Sequence, residues 1–223
     1  MAQATDVKLV VYTALFGPHA KQLEEPRWSH PAVPMHCFTD RTNLRSKHWQ
    51  ITRMPRELDP ARANRRLKLL SHRTVSAEWS LYLDSNIRLL TDPRTLLDRG
   101  DFVTHRHHHC ANIVEELQEI LSYRPGTDPA VVKAQVAEYQ RQGFGTAASP
   151  QQHHSANGML LRHHTPEVCA LNEAWWDEVQ RHSARDQLSL DYCAWRANFT
   201  LSDWPGSVIA SPYFRAEPAR RQP

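Results

Sequence analysis

Short apolar runs separated by turn residues dominate the pattern. Val7 to Thr13 (VKLVVYT) is a β-branched run of strand length, and Phe16-Gly17-Pro18 closes the segment behind it. Pro26, Pro31 and Pro34 mark irregular chain before His36-Cys37-Phe38-Thr39, a second short strand that ends at Asp40. Leu81-Tyr82-Leu83 and Ile87 to Leu90 read as two more strands, with Asp84-Ser85-Asn86 set between them. Phe102-Val103-Thr104 and Gly158 to Arg162 complete the set. Helix starts are as plain. Asp59-Pro60, Asp92-Pro93 and Asp128-Pro129 each place an N-cap acid before proline at the first helical position, and Thr165-Pro166 does so with a hydroxyl. Behind Pro60, Ala63, Leu67 and Leu70 share one face while Arg65, Lys68 and His72 lie opposite. Similar stripes are Ile113, Leu117, Ile120 and Leu121, with Glu115, Glu116 and Glu119 elsewhere; Val132, Val136 and Tyr139, ending at Gly143-Phe144-Gly145; and Val168, Leu171, Trp175 and Val179. Ser183-Ala-Arg-Asp186 has capping-box spacing ahead of a last helix carrying Leu188, Tyr192 and Trp195. Strands alternating with helices predict one α/β domain over 7–212, built on a mainly parallel mixed sheet flanked by helices. Residues 1–6 and the polar stretch 213–223 are expected to be flexible ends.

Composition narrows the class. At 223 residues, 40% hydrophobic with seven tryptophans, the chain can bury a substantial core. A net charge of +3 is too small to make nucleic acid the main partner. No apolar run approaches the ~18 residues of a membrane span, and the amino terminus lacks the charged and apolar regions of a signal peptide, so a cytoplasmic location without a transmembrane segment is expected. Cys37, Cys110, Cys169 and Cys193 form no CxxC, which predicts reduced thiols rather than a zinc knuckle or disulfide framework. The basic excess is local: seven Lys or Arg lie between Arg53 and Arg73 against Glu57 and Asp59. That face is either solvated or meets a diphosphate, which Arg and Lys bind by charge-assisted hydrogen bonds. In His105-Arg106-His107-His108-His109-Cys110, consecutive residues cannot all converge on one ion, so a surface loop with one functional histidine is expected.

Candidate chemistry gathers at strand ends. Ligands of open α/β sheets bind outside the carboxyl ends of the strands, where Asp84 falls. Asp84 and Asn86 could offer two oxygens to a hard cation from one side of the chain, or simply make a turn. Asp40 could meet a ribose or base, or cap the next element, and Asp186 fits a helix cap.

VVYTALFG, HCFTD, ARANRRLKLLSH, LYLDSNIRLL and WWDEVQRHSARDQLSLDY, in this order from Val7 to Tyr192, resemble the glycosyltransferase-like family formerly called domain of unknown function 616, which includes plant polysaccharide transferases and many bacterial members. The resemblance implies a GT-A-like sandwich that binds a nucleotide-sugar. It implies that Tyr12, Thr13, Phe16 and Gly17, with Asp40, hold the nucleotide, and that Lys68 and Arg65 face the diphosphate. Asp84-Ser85-Asn86 stands where such enzymes carry a DxD motif, which makes Asp84 and Asn86 the ligands of Mn2+ or Mg2+; Asn86 in place of the second acid is a neutral, weaker donor. Arg185-Asp186-Gln187 is similar to the segment under the transferred sugar, with Asp186 and Gln187 as the catalytic pair. Between His105 and Glu116 the chain departs from the family through extra histidines. Glu178, Glu116 and Asp186 are the candidates for a general base. The implied activity is transfer of a sugar from a nucleotide-sugar donor to a glycan or other acceptor in bacterial polysaccharide synthesis. The alternative is a scaffold that binds such ligands without turnover, a reading Asn86 favours. A phosphatase with an aspartyl nucleophile would need DxDx[TV] after the first strand, and Asp84 lies too late for that.

Overall fold

The computed structural model describes residues 8–18, 22–123, 127–151, 154–206 and 211–216. Nine strands and six α-helices are found among them: β1 (Leu9–Leu15), β2 (Met35–Thr39), β3 (Gln50–Arg53), α1 (Pro60–Leu69), α2 (Ser71–Thr74), β4 (Trp79–Leu83), β5 (Ile87–Leu89), β6 (Phe102–Arg106), α3 (Ile113–Tyr123), α4 (Pro129–Arg141), β7 (Ser155–His163), α5 (Pro166–Arg181), α6 (Leu190–Arg196), β8 (Ser202–Asp203) and β9 (Phe214–Ala216). Seven strands form one sheet in the order β3-β2-β1-β4-β7-β6-β8. β7 runs antiparallel to both of its neighbours, and the remaining pairs are parallel.

β1 is buried along its whole length because the sheet is covered on both faces. Its side chains alternate between two cores. Val10, Tyr12 and Ala14 join the apolar residues of α1, α3, α4, α5 and α6 on one face. Leu9, Val11 and Leu15 face the other, with Trp49, Leu96, Trp204 and Phe214. The α-helices therefore pack on one face, and irregular chain and a small ribbon close the other.

The cap signals act where expected. Asp59 accepts from the Arg62 N–H, Asp128 from Ala130 and Thr165 from Val168, each starting its helix. Asp92 also caps, but the segment Pro93–Arg99 stays 3₁₀ and stops at Gly100.

Two expectations need correction. The run after Asp84 does not add a strand to the main sheet: β5 pairs antiparallel with β9 in a separate ribbon. Consequently 213–223 is not a flexible tail throughout, since Phe214 is buried in the core beside Trp204. Residues 1–6 and 217–223 lie outside the described residues. The edge strands β3 and β8 escaped the sequence pattern, the first because it is half-exposed and the second because it has only two residues.

Candidate functional site

Strand order places β1 between β2 and β4, so the chain leaves β1 to one side and returns to the other through α1. The crevice outside the carboxyl ends of such strands is the ligand site of open α/β sheets. Gly17, Asp40 and Asp84 follow β1, β2 and β4 at this edge.

Asp84 makes both a turn and a site. Its N–H donates to the Gly158 carbonyl at 2.8 Å and its carbonyl accepts from Ile87, which reverses the chain into β5. The carboxylate is turned into the crevice. Tyr82 donates to Oδ1 at 3.1 Å, and Lys68 Nζ lies 3.7 Å from the same oxygen. Lys68 Nζ is also 2.8 Å from Asp186 Oδ2, while Arg65 Nε is 2.7 Å from Asp186 Oδ1. Three distant segments, α1, the end of β4 and the turn after α5, thus meet in one cluster of two cations and two anions. Lys68 is only 2% exposed, so this lysine is not part of a solvated face, although Arg62 and Arg66 on the same helix remain exposed.

Lys68 is aimed by a residue that the sequence pattern hid. Arg162 on β7 is fully buried; its guanidinium donates to the Lys68 carbonyl at 2.7 Å, the Leu69 carbonyl at 3.0 Å and the Tyr12 hydroxyl at 2.6 Å. Tyr12 in turn donates to the Lys68 carbonyl at 2.9 Å. These donors satisfy carbonyls that the end of α1 would leave unpaired. Burial lowers the Arg162 pKa, and among its surroundings the Tyr12 hydroxyl does most to hold its charge.

Asp186 is not a helix cap. Ser183 hydrogen-bonds Gln135 instead, at 2.6 Å, and Asp186 begins a 3₁₀ turn that carries no side-chain cap. Burial by itself would raise the Asp186 pKa, but Arg65 and then Lys68 outweigh it and hold the carboxyl down to about 2. A carboxylate that weakly basic is a poor general base at neutral pH. Glu178 is buried as well, yet it accepts from Tyr139 at 2.7 Å and Arg181 at 3.0 Å, which makes it a fastening between helices.

Past the ends of β1 and β2 an open cleft of about 780 Å³ is lined by Gly17, Asp40, Arg41, Asn43, Met54 and Arg56 among others. The Gly17 N–H donates to both Asp40 oxygens, at 3.1 and 3.2 Å, and Arg41 donates to the Gly17 carbonyl at 3.1 Å. Gly17 has φ of +77°, and a Cβ there would sit 3.1 Å from Pro60, so glycine lets β1 end directly against the start of α1.

The remaining predicted residues divide. Tyr12 and Thr13 are fully buried within the sheet, and neither lines the Gly17–Asp40 cleft. Phe16 packs in the core beneath α1. Ser85 is buried and its carbonyl accepts from Glu24, while Asn86 is partly exposed. Gln187 is partly exposed next to Asp186, and Arg185 reaches Glu116 Oε1 at 3.3 Å. Glu115 caps α3 with Asn112, donors and acceptors being exchanged between them. His105 is fully buried and burial lowers its pKa to about 4. Gly158 is the other residue that sequence reasoning missed: a Cβ there would lie 3.0 Å from Ile87 Cδ1, so glycine lets β7 pass close to the turn that carries Asp84.

The donor set fits a divalent cation in one restricted way. Asp84 gives Oδ1 to Tyr82 and Lys68, turns Oδ2 toward Gly158, and keeps a third of its side chain exposed. Mg2+ is commonly held by one or two carboxylates and completed by waters and substrate phosphates, an arrangement one free-facing carboxylate oxygen can begin. Asn86 would be the neutral second donor.

An α/β sheet with an ionic cluster at its carboxyl edge, in one domain, makes the architecture GT-A-like. Residues 39–204 match the TOD1/MUCI70, glycosyltransferase-like domain, and the chain belongs to that family. It is 29% identical to "Probable hexosyltransferase MUCI70" of Arabidopsis thaliana, over 69% of this chain and 29% of the relative. The chain therefore spans under a third of that plant protein's length. Among the described residues no helix is long and apolar enough to cross a membrane.

Proposed function

We propose that this glycosyltransferase-like chain moves a hexosyl group from a nucleotide-sugar to a glycan or other hydroxylated acceptor. The observation that supports this reading most is the meeting of Lys68, Asp84 and Asp186 at the β1/β4 edge. The nucleotide occupies the Gly17–Asp40 cleft, and the diphosphate reaches toward Lys68 and Arg65. Charge counting then makes a divalent cation useful. Lys68 and Arg65 already balance Asp84 and Asp186, so a diphosphate arrives without compensation unless Mn2+ or Mg2+ joins it on Asp84 and Asn86. When bound, such an ion neutralises charge on the departing diphosphate.

The chain's own groups do the rest. Lys68, desolvated and over the Tyr82 ring at 5.1 Å, presents a fixed positive charge to the leaving group. Asp186 stays ionised and holds Lys68 and Arg65 in place; its negative field lies where positive charge develops on the sugar. Gln187, partly exposed beside it, is the neighbour placed to contact the sugar hydroxyls. The choice of a hexosyl group rests on the name of the plant relative, a probable hexosyltransferase.

The test is a panel of nucleotide-hexoses with and without Mn2+ or Mg2+, read by thermal shift and by nucleotide release with acceptor extracts. At least one donor is expected to raise Tm in a metal-enhanced way and to be turned over. Stabilisation without release would support the second reading, a non-catalytic sugar-nucleotide scaffold, which the ion pairs closing both Asp186 oxygens favour. No stabilisation by any donor would overturn both.

A further inference from the structure

A second cluster lies between the β6–α3 loop and the start of β7, and it is independent of the donor pocket. His107, Cys110 and Glu116 each bring a ligand atom to one place, all within 4.8 Å of one another. Cys110 is 4% exposed and Glu116 1%. His154 enters from the position just before β7, with its Nε2 3.8 Å from Glu116 Oε2. That Nε2 is buried and has no hydrogen-bond partner among the described residues. Its other ring nitrogen faces Asp191 Oδ2 at 3.3 Å and the Gln151 amide at 3.2 Å. Asp191 is itself fixed by the Ser155 N–H at 2.9 Å. A carboxylate behind one imidazole nitrogen, with the other nitrogen aimed at a cluster of ligands, is how metal-binding histidines are oriented. His108 and His109 are exposed, so of the three consecutive histidines His107–His109 only the first is turned toward the cluster.

The ligand chemistry selects the ion. A thiol, imidazoles and one carboxylate suit Zn2+, whereas Mg2+ and Ca2+ want oxygen alone. At bond lengths of 2.0–2.3 Å, neighbouring ligand atoms on tetrahedral zinc sit roughly 3.3–3.7 Å apart, so the His107, Cys110 and Glu116 atoms would draw together by up to about 1.5 Å while His154 moves in beside Glu116. His107 Nδ1 now accepts the Cys110 N–H at 2.9 Å; loading exchanges that contact for a coordinate bond. A divalent cation would favour the thiolate and use the neutral ring.

We propose that His107, Cys110, Glu116 and His154 bind one Zn2+, closing the histidine loop onto β7, with Asp191 as the positioning carboxylate behind His154. The site is structural in kind, having four protein ligands and little exposure. Through Glu116 and Arg185 it braces the wall next to Asp186.

The probe is zinc alone. The full chain, expressed with zinc and dialysed against metal-free buffer, should retain about one zinc per molecule by mass spectrometry of the metal. C110S and H154A should lose it, D191N should weaken it by about 10–100-fold, and the H108A/H109A double variant and D84N should keep it. Because C110S could fail to fold, cobalt substitution of the wild-type chain gives a second reading: a thiolate-to-cobalt charge-transfer band with tetrahedral visible bands is expected. Sub-stoichiometric zinc in the wild type, a cobalt spectrum without the thiolate band, or zinc lost with H108A/H109A would each overturn the proposal. None of these results bears on donor binding, which the nucleotide-hexose panel reads separately.

Discussion

Lys68 is the residue whose surroundings decide how the pocket behaves, because it is buried against two carboxylates and only one of them, Asp186, is equally buried. Removing one partner from a buried ion pair leaves an uncompensated charge, which costs about 3–5 kcal/mol. Asp186→Asn should therefore lower unfolding free energy by that amount in urea, more than Asp84→Asn, whose side chain is a third exposed. The pH dependence has a definite sign. Asp186 is depressed from 3.8 to about 2, so its stabilisation is present above the unfolded value and is lost as pH falls through the folded one. The difference in urea midpoint between wild type and Asp186→Asn should be flat from pH 5 to 8 and shrink as pH falls from about 4 toward 2. Asp84 was readable in the sequence because a carboxylate between two apolar runs must lie at a strand end. Arg162 was not, since an arginine closing an apolar run reads as the end of a strand; only tertiary structure shows it buried. For Tyr12 the strand position was legible, but which face of the sheet it joins was not.

At the level of elements, α1 carries both site cations and is fixed at its two ends differently. Its start follows from Asp59-Pro60, which local chemistry makes legible. Its end depends on Arg162, whose loss would strand the Leu69 carbonyl and leave the Lys68 carbonyl and the Tyr12 hydroxyl only each other. Each unsatisfied buried group costs about 1–3 kcal/mol. Arg162→Lys is expected to recover little, because a single ammonium cannot reproduce the planar fork that reaches several acceptors; the check is Tm together with the donor-induced shift, both of which should fall. The turn at Ser183–Asp186 shows the opposite case. Its spacing fits a capping box, yet two ion pairs to α1 outweigh one N–H contact, and nothing within four residues of sequence could reveal partners in another helix.

Across the whole molecule, the alternation of elements foretold an α/β domain, and the continuous apolar runs of β1 and β4 foretold a sheet covered on both faces. Sheet order, the reversed direction of β7 and the β5–β9 ribbon were not legible, because periodicity records which face is buried and not which strand is the partner, and β5 and β9 have only three residues each. The ribbon gives a direct check. Phe214 is 1% exposed in the second core, so Phe214→Ala should cost about 3–5 kcal/mol in chemical denaturation while leaving donor affinity unchanged, as the ribbon covers the face away from the helices. Zinc at the histidine loop would be a second fastening, on the other side of β7.

The most direct measurement is steady-state nucleotide release from the donor that the panel selects, comparing wild type with Asp84→Asn at matched folded fraction. A fall in kcat of about 100-fold or more is predicted for the variant, with Tm nearly unchanged. Turnover equal to wild type in Asp84→Asn would contradict the proposed role, and the cluster at the β1/β4 edge would then serve the fold alone.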